Sequence, residues 1–168
     1  MVRLKGPKQP LDIALRFLTY RPRSEAEVRR HLLRAYPEDV VEDTIVHLRS
    51  KELLNDVAFA RFWRNNREQH RPRSKAVIKK ELFLRGVNSD VVEDALMGFD
   101  DGSSALSAGR KLLRRLLGND KQSFYRRMSG HLRRKGFGYS LTSGTVDILW
   151  QELSDLAYTD VERHDQEY

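Results

Sequence analysis

The sequence has 168 residues, of which 39% are hydrophobic and 33% charged, a balance that favours amphipathic helices with narrow apolar stripes over one thick core. Lys and Arg total 31 against 24 Asp and Glu, and the net charge of +7 favours a polyanionic partner, with nucleic acid the first candidate. The absence of Cys excludes disulfides and thiolate zinc sites. No apolar run is long enough for a signal peptide or for the ~20 residues of a membrane span, so we expect a cytoplasmic protein.

An internal repeat of about fifty residues organises the chain. Arg21-Pro22-Arg23-Ser24 recurs 50 residues later as Arg71-Pro72-Arg73-Ser74, and residues 39–43 recur 51 residues later as 90–94. A fainter third copy relates Arg85-Gly86-Val87 to Lys135-Gly136-Phe137, again 50 residues apart. The pattern predicts a basic extension over 1–10, three-helix repeats over 11–54, 55–98 and 99–157, and a polar, acidic tail over 158–168 that frays.

The first repeat is predicted to contain three helices. Pro22 ends the first helix, and Ser24 with Glu27 predicts a capping box that begins the second, because each residue satisfies a free amide of the other. The third begins near Pro37, where carboxylates in the first turn suit the helix dipole. The apolar positions at helical spacing are Leu11, Ala14, Leu15 and Leu18, then Val28 and Leu32, then Val41, Ile45 and Leu48.

The same plan predicts three helices in each later repeat. The apolar positions of the second repeat are Phe59, Phe62 and Trp63, then Ile78 and Leu82, then Val92, Ala95 and Leu96. Those of the third are Ala105, Ala108, Leu112 and Leu116, then Met128 and Leu132, then Val146, Leu149, Trp150 and Leu153. Gly86 lies just past a helix end, where a positive φ is common. Residues 98–104 are the predicted hinge between repeats.

These elements predict an all-α protein of three tandem three-helix repeats. A fifty-residue unit hides little apolar surface by itself, so neighbouring units must stack to complete the core. We therefore expect an elongated, curved, solenoid-like molecule. Trp63, Trp150 and the Phe residues are most simply core anchors.

Charge is segregated by helix. Residues 61–85 hold nine basic and two acidic side chains, and residues 110–135 hold ten basic side chains and one acidic. The predicted third helices reverse the sign, since residues 86–101 contain five carboxylates and no Lys or Arg. If repeats stack in register, the molecule gains a positive and a negative flank.

Arg61, Arg64 and Arg67 recur every three residues beside Phe59 and Trp63, so they are predicted to project to solvent as a ridge. Guanidinium groups pair with phosphate oxygens in a fork geometry. The alternative is a solvated face that only confers solubility, although such faces usually mix both signs. The residues predicted to contact DNA or a filament are Arg61, Arg64, Arg67, Arg71, Arg73, Lys75, Lys79, Lys80, Arg110, Lys111, Arg114, Arg115, Arg126 and Arg127.

Two further features bear on how this surface would bind. Few aromatic residues interleave with the basic positions, so backbone contact with single- or double-stranded DNA, insensitive to sequence, fits better than base stacking. The Arg-Pro-Arg-Ser turns are either a second contact, with two guanidinium groups at a helix start, or simply rigid turns and caps. The sequence leaves both readings open.

We expect neither catalysis nor a cofactor. The five His residues form no His-Glu-x-x-His metal spacing, and the chain has no Walker-type phosphate loop and no Gly-x-Ser-x-Gly elbow. Asp43 and His47 lie one helical turn apart, which could orient an imidazole or be a surface pair. The plentiful carboxylates belong to acidic helices where pKa tuning is hard.

Several motifs of the first two repeats together match a known pattern. The matching residues are Ala14-Leu15-Arg16, Ser24, Glu27, Val28, Leu32-Leu33, Leu53-Leu54-Asn55-Asp56, Phe59-Ala60, Arg67, Arg71-Pro72, Ile78, Glu81-Leu82 and Arg85-Gly86-Val87. With these motifs the sequence resembles the RecX family of regulators of the RecA recombinase. The resemblance spans residues 11–96 and weakens in the third repeat. It departs where Arg71-Pro72 stands for the family's Gly-Pro and Leu54-Asn55-Asp56 for Leu-Asp-Asp.

The resemblance implies a regulator that lies along the groove of the RecA–DNA filament and restrains ATP hydrolysis, strand exchange and repressor self-cleavage in DNA repair and the SOS response. The basic flank would engage phosphates or the acidic filament surface, the acidic flank would face basic recombinase elements, and the protein, expected to be a monomer, would bridge neighbouring subunits. Two alternatives remain open. One is a sequence-nonspecific nucleic-acid binder without a recombinase partner, and the other is a protein-only adaptor whose basic surface is incidental.

Overall fold

The computed structural model describes the backbone of residues 9–165 and the side chains of residues 9–155. Within that range the chain forms nine α-helices and one 3₁₀ turn (Arg114–Leu116), without a strand, so the predicted all-helical repeat fold is confirmed. The helices are α1 (Pro10–Thr19), α2 (Glu25–Leu32), α3 (Glu38–Ser50), α4 (Asp56–His70), α5 (Lys75–Leu84), α6 (Ser89–Ala95), α7 (Asp101–Leu113), α8 (Lys121–Arg134) and α9 (Tyr139–Asp165).

The repeat of the sequence is also a repeat of structure. α2 and α5 begin 50 residues apart, and so do α6 and α9. Buried, half-buried and exposed side chains fall at the same positions in residues 81–99 and 131–149. Gly86 and Gly136, which follow α5 and α8, have positive φ values of 76° and 93°. The third copy, faint in sequence, therefore closely follows the second.

The contacts divide the chain into two compact units that do not coincide with the three repeats. The first unit comprises the described residues through Asn65 together with residues 79–97. The second comprises residues 66–78 and the described residues from Gly98 onward. The middle repeat is thus divided, because α4 and α5 each contribute residues to both units.

The core of the first unit is formed by α1, α2 and α3, with Leu54 from the segment that follows. Leu15, one of the apolar positions at helical spacing in α1, is 37% exposed and is not part of this core. At 100° per residue it lies just beyond the face centred on Ala14, and Ile13 and Phe17 pack at the edge of the core instead. The buried side chains are Ala14, Val28, Leu32, Val41, Ile45, Leu48 and Leu54.

The aromatic residues at the start of α4 are only partly core. Phe59 is buried and lies 5.9 Å from the Trp63 ring, which is half-buried. Phe62 is 39% exposed, so its prediction as a core anchor is wrong. It lies on another face of α4 and lines an open groove with Tyr20 and Leu53.

The core of the second unit is formed by α7, α8 and α9. Phe124 is fully buried and its ring lies 5.1 Å from that of Trp150, which packs against this core as predicted. The buried side chains are Ala105, Ala108, Leu113, Leu116, Phe124, Met128, Leu132, Phe137, Val146, Leu149 and Leu153.

Two predicted boundaries differ from the structure. The predicted hinge over residues 98–104 is too long, because α7 begins at Asp101 after the Asp100 side chain accepts from the amides of Gly102 and Ser103. The small residues that suggested a loop are therefore the first turn of a capped helix. α9 continues to Asp165, inside the region predicted as a tail over residues 158–168. Residues 1–8 of the extension predicted over 1–10, and residues 166–168 of that tail, lie outside the described residues.

Candidate nucleic-acid interface

The residues predicted for the interface differ in exposure and in the contacts they make. The side chains that are exposed to solvent and bonded to no other described residue are Arg61, Arg71, Lys80, Arg114, Arg115, Arg126 and Arg127. Those that are half-buried are Arg64, Arg67, Arg73, Lys75 and Lys79. Those that are exposed but bonded within the protein are Arg110 and Lys111. That the whole set binds nucleic acid stays a prediction.

Arg64 does not project to solvent, and this part of the predicted ridge is wrong. Its guanidinium donates to the carbonyl oxygens of Ala95 at 3.0 Å and Met97 at 2.8 Å. These carbonyls lie at the end of α6, where the last C=O groups of a helix have no intrahelical partner. Arg64 therefore caps α6, and Arg61 is left as the exposed arginine of the ridge in the first unit.

The acidic third helices form ion pairs inside their own repeats. Arg29 of α2 pairs with Glu42 of α3, and Lys79 of α5 pairs with Glu93 of α6. The basic partners are 50 residues apart and the acidic partners 51, so one ion pair is repeated in two repeats. The predicted separation of charge is therefore reduced by pairing within each repeat.

Arg110 of α7 has a similar partner on α9. Its guanidinium donates to both carboxylate oxygens of Glu152, the shortest contact being 2.6 Å. These hydrogen bonds lower the pKa of Glu152 and raise that of Arg110. Because exposed pairs contribute little stability, Arg110 could exchange this carboxylate for another anion at small cost.

The Arg-Pro-Arg-Ser turns join successive repeats. Ser24 forms the predicted capping box with Glu27 and also donates from its hydroxyl to the Arg85 carbonyl at 2.6 Å. The equivalent Ser74 donates from its amide to the Lys135 carbonyl at 3.1 Å. We call residues 21–24 with 85–86 the first joint, and residues 71–74 with 135–136 the second joint. Both turns therefore have the structural role that the sequence left open.

Each joint is supported by an aspartate from the start of the following repeat. Asp56 accepts from the Glu25 amide at 2.9 Å, and Asp101 accepts from the Lys75 amide at 2.6 Å. Burial raises the pKa of Asp56, against the effect of the amide hydrogen bond from Glu25. These contacts satisfy the free amides at the starts of α2 and α5.

Carboxylates accompany the cations of the first joint. Arg21 donates to Glu27 at 2.6 Å, and Arg23 lies 3.9 Å from the same carboxylate. Burial would raise the pKa of Glu27, but the hydrogen bonds from Arg21 and the Ser24 amide outweigh it and lower that pKa. Arg85 stacks over the Trp63 ring at 3.7 Å, and Trp63 donates to the Glu81 carboxylate.

The second joint gathers cations from several elements. Lys111 donates to the carbonyls of Gln69 and His70, both at 2.8 Å, and Arg73 donates to the Arg134 carbonyl at 3.2 Å. Burial, and then the charges of Arg73, Lys111 and Arg67, lower the pKa of Lys135. We call this set the second-joint cations: Arg67, Arg73, Lys111, His131, Arg134 and Lys135.

His131, Arg134 and Lys135 were not among the predicted interface residues. A signal for them was present, since Glu81 and Arg85 correspond to His131 and Lys135 in the fifty-residue alignment. That alignment shows an acidic side chain replaced by a basic one in the third copy. It does not show that the turn of the second repeat lies against this position.

We expect His131 to make the folded chain less stable as the pH falls. Burial, and then the charges of Lys135 and Arg134, lower the pKa of His131 from its ordinary value of 6.5. Because the unfolded chain binds the proton more readily, this stabilisation is complete above about pH 6.5 and is lost as pH falls through the lower folded pKa. His131→Gln should show a smaller decrease in the free energy of unfolding between about pH 7.5 and 5.5, measured by urea denaturation.

The control for this measurement is His47→Gln, at an exposed position of α3. It should keep the pH dependence of the wild type. Equal flattening by both substitutions would show that the environment of His131 has no special effect.

Among the described residues, no group of three or more His, Asp or Glu side chains is arranged to hold a metal ion. None of the helices in that range has both the length and the apolar character of a membrane span.

Comparison with known proteins relates the whole arrangement to one family. The profile of "RecX, first three-helix domain" matches residues 11–48, and that of "RecX, second three-helix domain" matches residues 55–96. The "Regulatory protein RecX" of Mycobacterium avium (strain 104) is 34% identical over 144 residues, which cover 83% of both chains. That of Mycobacterium tuberculosis (strain ATCC 25618 / H37Rv) is 33% identical over 147 residues, covering 83% of this chain and 84% of the relative.

A crystal structure of RecX from Lactobacillus salivarius is similar in fold, with a TM-score of 0.65. It is 25% identical, and the match covers 86% of this chain and 94% of that chain. The matches extend beyond residues 11–96, so they include part of the third repeat, where the sequence motifs are weakest.

Proposed function

Because the chain belongs to the RecX family of regulatory proteins, we propose that it binds the RecA–DNA filament and restrains the ATP hydrolysis, strand exchange and coprotease activity of that filament. The observation that carries the proposal is the 34% identity, over 83% of the chain, to a regulatory protein of this family. The proposed role in DNA repair and the SOS response follows from the same relationship.

The charge of the chain supports a partner that contains phosphate. Both units expose basic side chains that have no partner within the described residues. They are Arg61 and Lys80 in the first unit and Arg71, Arg114, Arg115, Arg126 and Arg127 in the second. Such side chains can neutralise backbone phosphates whatever the base sequence, as a regulator that acts along a filament requires.

To restrain the filament, the protein needs only to bind one state of the filament more tightly than another. It does not need to catalyse a reaction. The subunits of the filament are arranged differently before and after ATP hydrolysis. If the protein binds the earlier arrangement about tenfold more tightly, the change to the later one becomes about 1.4 kcal/mol less favourable. A repeat protein that contacts adjacent subunits would do this, because subunit movement would break one set of contacts. The ion-paired helices of each repeat would supply a rigid body for that bridge.

The deciding experiment is RecA ATP hydrolysis on single-stranded DNA, titrated with this protein. We expect hydrolysis to fall, and Arg126→Glu with Arg127→Glu to raise the concentration for half-inhibition at least about tenfold, because two phosphate or carboxylate contacts become repulsive. Both side chains are exposed and bonded to no other residue in the described part of the chain, so the fold should be unaffected. Reversing Arg64 is unsuitable as a test, because that side chain caps α6.

The matched control is Arg34→Glu with Lys51→Glu, which changes the net charge equally at exposed positions outside the predicted interface. This variant should inhibit like the wild type. Unchanged hydrolysis at saturating, folded protein would reject the proposal. Inhibition that disappears in excess DNA would instead indicate a nucleic-acid binder that sequesters DNA without binding the recombinase.

A further inference from the structure

The two joints have the same backbone plan and different charge. In both, a serine turn lies against the end of helix two of the following repeat, and an aspartate caps the helix after the turn. Because the joints are related by 50 residues, their side chains can be compared one by one. Arg23 corresponds to Arg73, which is unchanged, and Arg85 corresponds to Lys135. The two carboxylates are replaced, Glu27 by Val77 and Glu81 by His131.

The first joint contains its own counter-charges. Glu27 accepts from Arg21 and lies 3.9 Å from Arg23, so one carboxylate serves two guanidinium groups. Glu81 lies beside Arg85, whose guanidinium donates to the Glu81 carbonyl at 2.7 Å. A further anion would have to compete with these carboxylates, and the first joint is therefore a poor anion site.

The second joint has lost both carboxylates and gained cations. The contacts of Lys111 and Arg73 at this joint are to backbone carbonyls, namely those of Gln69, His70 and Arg134. A carbonyl dipole orients a cation without cancelling its net charge. His131, whose imidazole lies 3.3 Å from the Ala108 carbonyl, is the residue that corresponds to Glu81 in the fifty-residue alignment.

Asp101 places a carboxylate at this joint, and that carboxylate is already bonded. It accepts from the Lys75 amide at 2.6 Å, where it caps α5. The groups whose charges act on Lys135 are Arg73, Lys111 and Arg67, which are all cations. The two joints therefore differ from each other in net charge, although they share one backbone arrangement.

We propose that the second joint binds phosphate groups of a nucleic-acid backbone and that the first joint does not. The inference rests on the proposed function and deepens it, because it assigns DNA contact to one place in the fold. A phosphate supplies the negative charge that Glu27 and Glu81 supply at the first joint, and both Arg and Lys bind it through charge-assisted hydrogen bonds. The carbonyl contacts hold Lys111 and Arg73 in place beforehand, so binding orders fewer side chains.

Phosphate along a strand fits better than one isolated anion. The same unit exposes Arg114, Arg115, Arg126 and Arg127, which are bonded to no other residue that the structure describes. Successive phosphates of a strand can engage several of these cations, with affinity that depends steeply on salt.

The test is the anisotropy of a labelled single-stranded oligonucleotide, titrated with the full chain at low salt and without recombinase. Lys135→Gln and His131→Glu should each weaken binding about fivefold to tenfold, and Lys135→Gln should reduce the salt slope by about one. His131→Glu introduces the carboxylate that the first joint carries at the equivalent position, Glu81. His131→Gln removes the imidazole without adding charge, so it should weaken binding less than His131→Glu.

Lys51→Gln is the matched control, because it also removes one cation. Lys51 is exposed, caps the C-terminus of α3 and is distant in sequence from the second joint. It should change affinity less than about twofold. Equal weakening by Lys51→Gln and Lys135→Gln would overturn the proposal, as would wild-type affinity in both second-joint variants. If His131→Glu fails to fold, Lys135→Gln still decides the question, since the Lys135 side chain donates no hydrogen bond to another described residue.

A competition arm separates phosphate from other polyanions. Polyglutamate at equal charge should displace the oligonucleotide poorly, and equal displacement would overturn the proposal in favour of an acidic protein surface. The outcome is also distinct from that of the ATPase test. A chain that binds DNA through the second joint but leaves hydrolysis unchanged would refute only the proposed function.

Discussion

Gly136→Ala is expected to lower the free energy of unfolding by roughly 2–5 kcal/mol, because it introduces two costs at the second joint. Gly136 has φ = 93°, a conformation that strains any residue with a Cβ by about 1–2 kcal/mol. A Cβ there would also overlap Val77 Cγ2 and lie 2.5 Å from Ser74 Oγ. Overpacking of this kind adds about 1–3 kcal/mol. Urea denaturation followed by circular dichroism measures the change.

Gly118→Ala separates the two costs. Gly118 also has a positive φ, 76°, but a Cβ there would meet nothing within 4 Å. Its substitution should therefore cost only the strain, about 1–2 kcal/mol. An equal loss at both positions would mean that the turn at residues 71–74 can move away from Gly136 freely. The second joint would then be too loose to hold its cations in place.

Periodicity and capping were sufficient to predict most of this fold, because both are local. The capping box of Ser24 and Glu27 involves residues one helical turn apart, and a Gly that follows a helix needs only its own φ. The fifty-residue identity then extended the plan of one repeat to the next. The third copy was inferred from few sequence identities. The structure agrees with it, since the burial pattern of residues 131–149 repeats that of 81–99.

The wrong predictions concern side chains whose surroundings depend on residues that are distant in sequence. Arg64 resembles its exposed neighbours in sequence, but its guanidinium reaches carbonyls 31 and 33 residues away. Leu15 and Phe62 are apolar at helical spacing, yet each lies beyond the face that its helix buries. A single sequence does not specify the width of that face, because the width depends on how many neighbours the helix has.

The joints show which features the sequence repeat predicts and which it does not. The alignment reveals that Glu81 is replaced by His131, but the consequence depends on the turn of the preceding repeat lying against that position. The same alignment places Phe124 where Ser24 and Ser74 stand in the earlier repeats. Those serines are buried because they bond to the following repeat, and Phe124 is buried in the core of its own repeat instead.

Phe124→Ala is therefore expected to cost roughly 3–5 kcal/mol, the usual range for deleting a fully buried aromatic ring. The ring has no exposure and lies 5.1 Å from the Trp150 ring, so its removal leaves a cavity between α8 and α9. The free energy of unfolding is measured by urea denaturation. Tyr139→Ala is the control, since Tyr139 is 79% exposed and should change stability by less than about 0.5 kcal/mol.

Hydrogen exchange can locate the effect of Phe124→Ala. Faster exchange is expected at the amides of α8 and α9, because these helices lose the side chain that fills the space between them. A wild-type unfolding midpoint would contradict the assignment of Phe124 to this core. The position would then behave like that of Ser74, whose burial depends on a neighbouring repeat, and the third repeat would need a partner surface to be stable.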